Sequence, residues 1–379
     1  MKKALINATI LKNGKKYNDY NIVFDKNILK IGNDIDLQDI DEVISVNGAY
    51  VSAGFIDLHI HGFAGFDFME ETDKALEGVS RLLPSYGVTS FLPTTLTAPI
   101  EEIERVISSV RMYGSNYSEP IGIHMEGPLI NKDKAGAQNK KYIKSLQEDW
   151  IIKNQDIIKI ITLAPEANNG IVLVNNLKRN SDIVLSIGHS NASYEEAVEV
   201  FDKGVSYCTH LFNAMTSFHH RKPGLSLAAL MKPCYVEIIA DNKHLHPSIY
   251  NMVYKLKGVD SVILISDCVL AGGLEDGYYL LKELKIRKEK ELISMEDGTI
   301  AGSVLTLNKA IKNVKESTNL LIEEIILAVT ENPAKAIGLE DRGSIALGKK
   351  ADLVVFDDNI DIKYTIKNGE IVYKNKGAE

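Results

Sequence analysis

The sequence predicts an α/β protein whose main unit is a (β/α)8 TIM-type barrel, and three observations lead to this fold class. From Val51 onward, apolar strand-like segments alternate with longer amphipathic segments, which is typical of a parallel sheet with crossover helices. Eight such units fill about 250 residues, the usual length of a barrel of this kind. The first fifty residues instead contain short strand-like runs separated by turns, which predicts a small β module before the barrel.

The individual elements follow from local patterns. Turns such as Asn13-Gly14 and Asn47-Gly48 separate the strands predicted at 4–11, 21–24, 28–31 and 42–46. The eight barrel strands are predicted at 55–58, 88–92, 121–125, 157–163, 183–187, 205–208, 235–239 and 262–265. The clearest helices are predicted at 72–86, 100–112, 193–203 and 247–257. Residues 271–299 are predicted to form a solvated hairpin, since acidic residues interrupt the basic run at 282–290 and argue against a basic interaction patch.

The composition excludes several classes of function. The chain has 379 residues, of which 45% are hydrophobic and 25% charged, as in an ordinary globular protein. A net charge of −8 argues against nucleic acid or an anionic membrane as a partner. No apolar stretch has the length of a membrane span, and Asn7 and Thr9 make the N-terminal segment a strand rather than a signal peptide. Three widely spaced cysteines predict a reducing, cytoplasmic location without a disulfide framework.

His59 and His61 end the apolar stretch that begins at Tyr50. Alternation along a strand places both imidazoles on the same face, and Gly62 follows where the backbone must turn. Two same-facing histidines at a strand end are suited to bind one metal ion. A pair of histidines near a surface turn is the structural alternative.

Polar residues follow most of the predicted barrel strands, including the strand that ends at His59 and His61. They are His59, His61, Thr94, Thr95, Glu126, Glu166, His189, His210, Asp241 and Asp267. Because the carboxyl ends of barrel strands line the active site, these groups are expected to converge. Each has a structural alternative, such as a hydrogen-bonded core histidine or a turn cap. Together they favour a metal site, and imidazoles with carboxylates suit Zn, Fe(II), Co or Mn.

Cys208 lies two residues before His210 and would share its face of the strand. It could be an additional metal ligand. Packing below the metal layer is the interpretation we favour, because a free cysteine in a strand usually behaves as a small buried hydrophobe.

Several motifs carry a resemblance that runs nearly end to end. They are Gly54-Phe-Ile-Asp-Leu-His-Ile-His-Gly62, His124-Met-Glu-Gly-Pro128, Gly188-His-Ser-Asn191, Thr209-His-Leu-Phe-Asn-Ala-Met215, Phe218-His-His-Arg-Lys-Pro-Gly224, Ala240-Asp-Asn-Lys-His244, Ser266-Asp267, Ala301-Gly-Ser-Val-Leu-Thr306 and Asn332-Pro-Ala-Lys335. With them the chain resembles the N-acetylglucosamine-6-phosphate deacetylase family of the metal-dependent amidohydrolase superfamily. The resemblance implies a small β-sandwich domain built from both chain termini, residues 1–50 and 343–379, beside a barrel domain of residues 51–342.

The resemblance also implies a metal site. Glu126, His189 and His210 match the family's constant ligands, whereas His59 and His61 match positions that vary among its members. The implied arrangement is a pair of ions bridged by Glu126, with His59, His61 and Asp267 around one ion and His189 with His210 around the other. One or two divalent ions per chain are therefore expected. Asp267 matches the family's general base and acid.

Substrate contacts are implied by the same matches. Arg221 and His244 match phosphate-contacting positions, and a guanidinium suits a phosphate dianion. Sugar and acetyl contacts are matched by Ala137, Gln138, Asn213, Ala214, Ile300, Ala301 and Gly302. Many members have His where this chain has Gln138, which can donate a hydrogen bond but cannot carry a proton. His219 and His220 either assist at the phosphate or are exposed loop residues.

The implied activity is hydrolysis of the acetamide of N-acetyl-D-glucosamine 6-phosphate, in amino-sugar catabolism and cell-wall sugar recycling. A homodimer is expected, in which Arg221 could reach a neighbouring subunit's pocket. Another amidohydrolase, such as a deaminase or a cyclic-amide hydrolase, would share the ligands without needing Arg221 or His244. A non-catalytic relative that binds a sugar phosphate is the other alternative, and it would be expected to have lost ligands or the base.

Overall fold

Two large β-sheets organise the chain in the computed structural model, which describes residues 1–377. The strands are β1 (Lys3–Lys12), β2 (Lys15–Phe24), β3 (Ile28–Gly32), β4 (Glu42–Ser45), β5 (Tyr50–Ala53), β6 (Phe55–Ile60), β7 (Gly62–Phe63), β8 (Phe66–Asp67), β9 (Val88–Thr95), β10 (Glu119–Pro120), β11 (Ile123–Glu126), β12 (Ile158–Leu163), β13 (Val184–Ile187), β14 (Tyr207–Cys208), β15 (Tyr235–Ile239), β16 (Val262–Ile265), β17 (Gly277–Leu281), β18 (Leu284–Glu289), β19 (Leu292–Met295), β20 (Leu353–Phe356), β21 (Ile362–Lys367) and β22 (Glu370–Lys374).

The helices lie mostly between the barrel strands. They are α1 (Thr72–Leu82), α2 (Ile100–Met112), α3 (Glu148–Lys153), α4 (Gly170–Asn180), α5 (Tyr194–Asp202), α6 (Gly224–Met231), α7 (Ser248–Lys257), α8 (Leu307–Ser317), α9 (Ile322–Ile325) and α10 (Glu331–Ala336). Short 3-10 helices span Leu83–Tyr86, Lys132–Lys134, Lys140–Tyr142 and Ile326–Val329. Helix α5 begins with a capping box, in which Ser193 and Glu196 each accept a backbone hydrogen bond of the other. Across residues 1–377, none of the helices has the length and apolar character needed to cross a membrane.

The barrel contains the eight strands that the sequence predicts. In the order β6, β9, β11, β12, β13, β14, β15 and β16, each strand pairs in parallel with the next. The ring closes where β16 meets β6, through a parallel bridge between Ile60 and Cys268 and a 2.8 Å hydrogen bond from Asp267 N to the His59 carbonyl. The strands are almost entirely buried, because helices cover the outside and side chains fill the inside.

Both chain termini contribute to the second large sheet, as the resemblance implies. Its order is β22, β21, β20, β5, β1, β2 and β3, with β4 paired to β1. This single mixed sheet has an apolar core of its own, which includes Leu5, Phe24 and Leu353. The domain boundaries at 50/51 and 342/343 stay a prediction, with β5 lying across the first of them, and the predicted limit at residue 379 lies outside the described residues.

The segment predicted as a solvated hairpin forms a sheet of three antiparallel strands, β17, β18 and β19. The prediction was wrong because each strand contributes one buried apolar residue, Leu281, Ile286 or Ile293, that packs into the main core. The outer face remains exposed, and Lys282 forms an ion pair with Glu102 at the edge of the barrel. This small sheet therefore covers one side of the barrel mouth.

A buried ion network joins the barrel to the terminal sheet. The Lys367 ammonium, on a side chain that is 1% exposed, lies 2.8 Å from Glu119 Oε2 and 2.8 Å from Asp352 Oδ2. Arg342 Nη1 donates to the same Glu119 oxygen at 2.8 Å and to Ser90 Oγ at 2.8 Å. We refer to Glu119, Arg342, Asp352 and Lys367 as the inter-sheet network. Its cations and carboxylates satisfy one another inside the protein.

Candidate active site

A cavity of about 320 Å³ opens at the carboxyl ends of the barrel strands. Its walls include eight of the nine side chains or backbone positions that the sequence predicts as substrate contacts, namely Ala137, Gln138, Asn213, Ala214, His244, Ile300, Ala301 and Gly302. The lining also contains His61, Glu126, His189, His210 and Asp267. Five of the six predicted metal ligands therefore line the same cavity as the predicted substrate contacts, and His59 lies behind the lining beside His61.

Glu126, His189 and His210 converge at one side of this cavity. Glu126 ends β11, and the two histidines follow β13 and β14. Glu126 Oε1 lies 3.0 Å from His189 Nε2 and 2.9 Å from His210 Nε2, and the two nitrogens are 3.1 Å apart. We call these three residues the Glu126 group.

His59, His61 and Asp267 form a neighbouring set, here called the His59 group. The two Nε2 atoms are 3.2 Å apart and lie 3.4 Å and 3.3 Å from Asp267 Oδ1. Glu126 faces this group too, because its Oε1 is 3.6 Å from His59 Nε2 and its Oε2 is 3.4 Å from His61 Nε2. Glu126 thus lies between the two groups, as the implied bridging role requires.

The remaining ring nitrogens determine which way the imidazoles face. His61 Nδ1 lies 3.2 Å from the Thr94 carbonyl, and His189 Nδ1 lies 2.7 Å from the Lys134 carbonyl. A carbonyl oxygen only accepts hydrogen bonds, so Nδ1 carries a proton in each ring, and in the neutral imidazole Nε2 has the free lone pair. Such outer contacts are how proteins orient metal-binding histidines.

These residues fit a divalent metal ion. Ligand atoms bound about 2.0–2.2 Å from a tetrahedral ion lie roughly 3.3–3.6 Å from one another. The separations of 3.2–3.4 Å within the His59 group are close to this range, and those of 2.9–3.1 Å within the Glu126 group are shorter. Each group brings together nitrogen and carboxylate donors within 4.8 Å. In the described part of the chain, the ion-pair partners of Glu126 and Asp267 are all histidines. The structure thus contains His, Asp and Glu groups that could bind the metal on which this type of site depends.

The electrostatics of the cluster favour positive charge. Burial opposes the charged imidazolium of His59, but Glu237, Glu126 and Asp267 outweigh it and raise the pKa of His59 to about 9. Burial likewise opposes ionisation of Asp267, yet His59 and His61 lower the pKa of this carboxyl to about 2. The pKa of Glu126 is also held well below its usual range, because neighbouring histidines outweigh its burial. Both carboxylates are ionised at neutral pH and available to a cation.

Three of these residues have unusual backbone conformations. The φ angles are +46° at His189, +27° at His210 and +48° at Asp267, all in the left-handed region. Non-glycine residues adopt such conformations at a cost of order 1–3 kcal/mol each. Strained backbone at a cavity is typical of residues that must aim a side chain at a ligand.

A third cluster lies below the two ligand groups and consists of His59, His124 and Glu237. His124 uses both ring nitrogens within the protein, Nδ1 with the Leu58 carbonyl at 3.0 Å and Nε2 with Thr162 Oγ1 at 2.6 Å. Glu237 Oε2 lies 3.1 Å from His59 Nδ1. We interpret this cluster as a support for the site. Glu237 was not predicted as a site residue, although its place as an acidic residue within the apolar strand β15 was a signal.

Gln138 has contacts that the sequence did not indicate. Its Oε1 accepts a 2.6 Å hydrogen bond from Thr97 N, which fixes the orientation of the amide. Its Nε2 then donates to Glu126 Oε2 at 2.5 Å. Gln138 lines the cavity, but in this structure its amide holds the Glu126 carboxylate.

Other predicted residues have supporting roles or lie elsewhere. Arg221 is exposed, its Nη1 lies 2.7 Å from His220 Nε2, and it does not line the cavity.

Asp241 Oδ2 accepts a hydrogen bond from His244 Nδ1 at 2.7 Å and so orients the ring of that residue. Glu166 is used by the loops, where it accepts hydrogen bonds from Asn131, Ser190 and the backbone of Asn191. Cys208 is fully buried in the main core, consistent with packing below the ligands.

Comparison with known proteins identifies the family. The amidohydrolase family profile matches residues 50–372. N-acetylglucosamine-6-phosphate deacetylase from Lysinibacillus sphaericus is 36% identical over 358 residues, 92% of this chain and 91% of that protein. The enzyme of the same name from Bacillus subtilis is 37% identical over 338 residues, 86% and 85% of the two chains.

Solved structures give the same result. The Pasteurella multocida N-acetylglucosamine-6-phosphate deacetylase superposes with a TM-score of 0.94 at 30% identity, covering 99% of this chain and all (100%) of the other. A mutant of the Mycobacterium smegmatis enzyme, solved in complex with N-acetyl-D-glucosamine-6-phosphate, has a TM-score of 0.90 at 26% identity and covers 99% of both chains. This chain therefore belongs to the amidohydrolase family and, within it, to the family of N-acetylglucosamine-6-phosphate deacetylases.

Proposed function

We propose that this chain hydrolyses the acetamide of N-acetyl-D-glucosamine 6-phosphate to D-glucosamine 6-phosphate and acetate. The observation that carries the proposal is the position of Asp267, whose ionised carboxylate contacts the ligand histidines and lines the same cavity as the residues matched to the sugar. Relatives named for this activity, at 36–37% identity over most of the chain, favour it over a deaminase or a cyclic-amide hydrolase.

The Glu126 group and the His59 group are the proposed holders of one or two divalent ions. A divalent cation supplies Lewis acidity, which lowers the pKa of water and polarises a carbonyl group. Zinc or Fe(II) is our preferred identity, with Co or Mn as alternatives, because the donors are imidazoles and carboxylates without a thiolate.

Asp267 is the proposed general base and acid. It is ionised at neutral pH, so it can accept a proton from the attacking water as the new C–O bond forms. It then returns the proton to the amide nitrogen while the C–N bond breaks, which lets the sugar leave as a neutral amine. Burial of the site excludes competing solvent from this proton transfer. The convergence of the base with all five other predicted ligands argues against a non-catalytic sugar-phosphate-binding relative.

The phosphate is proposed to bind at the end of the cavity where His244 lies. His244 is held by Asp241 and lines the cavity in the same chain. Arg221 is exposed and outside the lining, so we propose that it completes the phosphate site of a neighbouring subunit in a homodimer. The other proposed contacts are Ala137, Gln138, Asn213, Ala214 and the Ile300–Gly302 stretch. A cytoplasmic location is also proposed, supported by three cysteines that are all buried and free.

Acetate release from phosphorylated and unphosphorylated N-acetylglucosamine tests the function. The phosphorylated sugar should be the better substrate, and Arg221→Ala should lower its kcat/KM at least ten-fold, as expected for a lost charge-assisted contact of about 1.5–3 kcal/mol. The unphosphorylated sugar should be nearly unaffected by the same change. Lys222→Ala, an exposed neighbour of Arg221, is the matched control and should leave both rates unchanged.

Mixing chains tests the dimer. Arg221→Ala chains mixed with Asp267→Asn chains should regain activity, because a hybrid dimer contains one pocket with both intact residues. No recovery despite confirmed subunit exchange would place Arg221 within its own chain. No acetate release from the metal-loaded parent would refute the deacetylase assignment, and equal losses on both sugars would refute the phosphate contact.

A further inference from the structure

Glu237 is a buried carboxylate beneath the active site that does not line the cavity. It lies in strand β15 among apolar neighbours and is 0% exposed. Burying an ionised carboxylate is expensive unless hydrogen bonds or opposite charges compensate for the lost hydration. The partners of Glu237 therefore indicate why the barrel contains it.

One oxygen of Glu237 contacts both ligand groups. Its Oε2 lies 3.1 Å from His59 Nδ1 and accepts a 3.0 Å hydrogen bond from the backbone N–H of His210. His59 belongs to the His59 group and His210 to the Glu126 group. The other oxygen, Oε1, has no hydrogen-bond partner of good geometry within residues 1–377 and lies 4.0 Å from His124 Nδ1. The buried Tyr207 hydroxyl is also near this carboxylate, which adds to the effect of burial in raising the pKa of Tyr207. The two hydrogen bonds of good geometry therefore both go to the ligands.

His59 differs from its neighbours in this contact. The Nδ1 atoms of His61 and His189 lie against backbone carbonyls, whereas among residues 1–377 the Nδ1 partner of His59 is the Glu237 carboxylate. A carboxylate in this place fixes the tautomer and makes the opposite nitrogen a better metal ligand. The orientation of His59 therefore depends on one side chain from a strand far away in sequence.

We propose that Glu237 is a positioning residue that holds His59 with Nε2 toward the cavity and fixes the backbone of His210. The proposal deepens the function proposed above and rests on it for the role of the bound metal. Because one oxygen serves both contacts, the two ligand groups keep a fixed separation. Removing that oxygen should disturb metal binding, although Glu237 itself does not line the cavity.

Two substitutions separate the hydrogen bonds from the charge. In Glu237→Gln the amide oxygen should take the place of Oε2, because the His210 N–H can only donate and needs an acceptor there. This variant keeps both hydrogen bonds and should retain metal nearly as the parent does. Glu237→Ala loses both contacts and should bind metal about 10–100-fold more weakly, the usual cost of removing an outer partner of a ligand.

Metal affinity is measured by competition with a chromophoric chelator, and activity is not needed. Val236→Ala, on the same strand and also fully buried, is the control for a general loss of packing. It should keep the parent's affinity. If it weakens metal binding as much as Glu237→Ala, or if folded Glu237→Ala binds metal like the parent, the proposal is overturned.

A second measurement uses the metal-free protein, so it stands apart from the proposed reaction. Histidine ¹⁵N NMR is recorded at alkaline pH, where the imidazole of His59 is neutral, and His59 is assigned from the signal lost in His59→Asn. It should report an Nδ1–H tautomer in the parent and in Glu237→Gln. Glu237→Ala should lose the preference for the Nδ1–H tautomer. If the alanine variant does not fold, Glu237→Asp is used instead, because the shorter aspartate side chain moves the oxygen away from His59. An unchanged His59 tautomer in the substituted protein would contradict the positioning role.

Discussion

The inter-sheet network and the ligand cluster are both largely buried, polar and built from distant parts of the chain. They differ in the groups that pair with their carboxylates. In the network, Glu119 contacts both Lys367 and Arg342, and Asp352 contacts Lys367. In the cluster, the described ion-pair partners of Glu126, Asp267 and Glu237 are imidazoles. The network is therefore complete within the chain, whereas the cluster is suited to a cation from solution.

This difference indicates that the inter-sheet network stabilises the fold and that the ligand cluster carries the function. When a carboxylate is paired with lysine or arginine, a cation of the protein already compensates for its charge, so the carboxylate is not free to bind another cation. A carboxylate paired only with imidazoles still favours positive charge nearby. His61 indicates this, because burial lowers its pKa but Asp267 and Glu126 outweigh burial and raise it to about 10. Substitutions in the two regions should accordingly have opposite signatures.

The largest effect is expected from Glu126→Gln, which removes the carboxylate shared by both ligand groups. Bound metal and deacetylase activity should be lost together. Chelation should lower the melting temperature of the parent, since an ion at 100 times its Kd contributes about 2.7 kcal/mol to stability. The variant's melting temperature should not respond to chelator. Metal content equal to that of the parent would contradict the assigned ligand role.

Asp267→Asn should have the next largest effect, mainly on turnover and more if metal binding also suffers. The amide keeps the size of the side chain but cannot accept the water proton, so kcat should fall by roughly 10²–10⁴. Steady-state kinetics and metal analysis of the same preparation distinguish the possible roles. Loss of metal would make Asp267 primarily a ligand, and activity within a few-fold of the parent would reject it as the base.

Lys367→Met should show the opposite signature. It removes the cation from between the buried Asp352 carboxylate and the partly exposed Glu119 carboxylate. Breaking the buried pair with Asp352 in this way costs about 3–5 kcal/mol of unfolding free energy. Urea unfolding of the metal-free protein measures this loss. Metal content and kcat per folded molecule should remain within about two-fold of the parent. A variant that unfolds like the parent but loses metal would invalidate the contrast between the two regions.

The smallest effect concerns acid. Burial alone would raise the pKa of Glu119, but Lys367 and Arg342 outweigh it and lower the pKa from 4.5 to about 2. A depressed folded-state pKa stabilises the protein above pH 4.5, and this contribution is lost as the pH falls toward 2. After discounting for a side chain that is 34% exposed, we expect a loss of about 1–2 kcal/mol. In metal-free protein, Glu119→Gln should flatten the decline of unfolding free energy over this window; an identical pH profile would show that Glu119 does not contribute.

The barrel could be predicted from the sequence because each of its strands is a short apolar run that ends in a polar residue. The same position at a strand end identified Glu126, His189 and Asp267, since a parallel barrel brings all such ends to one face. The third strand of the 277–295 sheet was missed because Leu292–Met295 has four residues, of which one is buried, and no continuous apolar run to reveal it. Local pattern is most informative where a run of residues is continuously buried.

Features that depend on pairing between distant residues could not be predicted. Glu119 and Lys367 are far apart in the chain, and neither has a local pattern that identifies its partner. Glu237 was visible only as an acidic residue in an apolar strand, without an indication that it contacts His59. Likewise, the engagement of Gln138 with Glu126 depends on the path of the loop after β11, which the sequence does not specify.

The position of β5 has a consequence for synthesis of the chain on the ribosome. β5 pairs with β1 on one side and with β20 on the other, so one of its edges remains open until the final strands emerge. At about 5–20 residues per second, the roughly 300 residues between these strands take about 15–60 s to translate. Unpaired strand edges are templates for aggregation. A nascent chain of this protein must therefore carry an open β-edge through most of its translation, and a message truncated before β20 would leave that edge permanently unpaired.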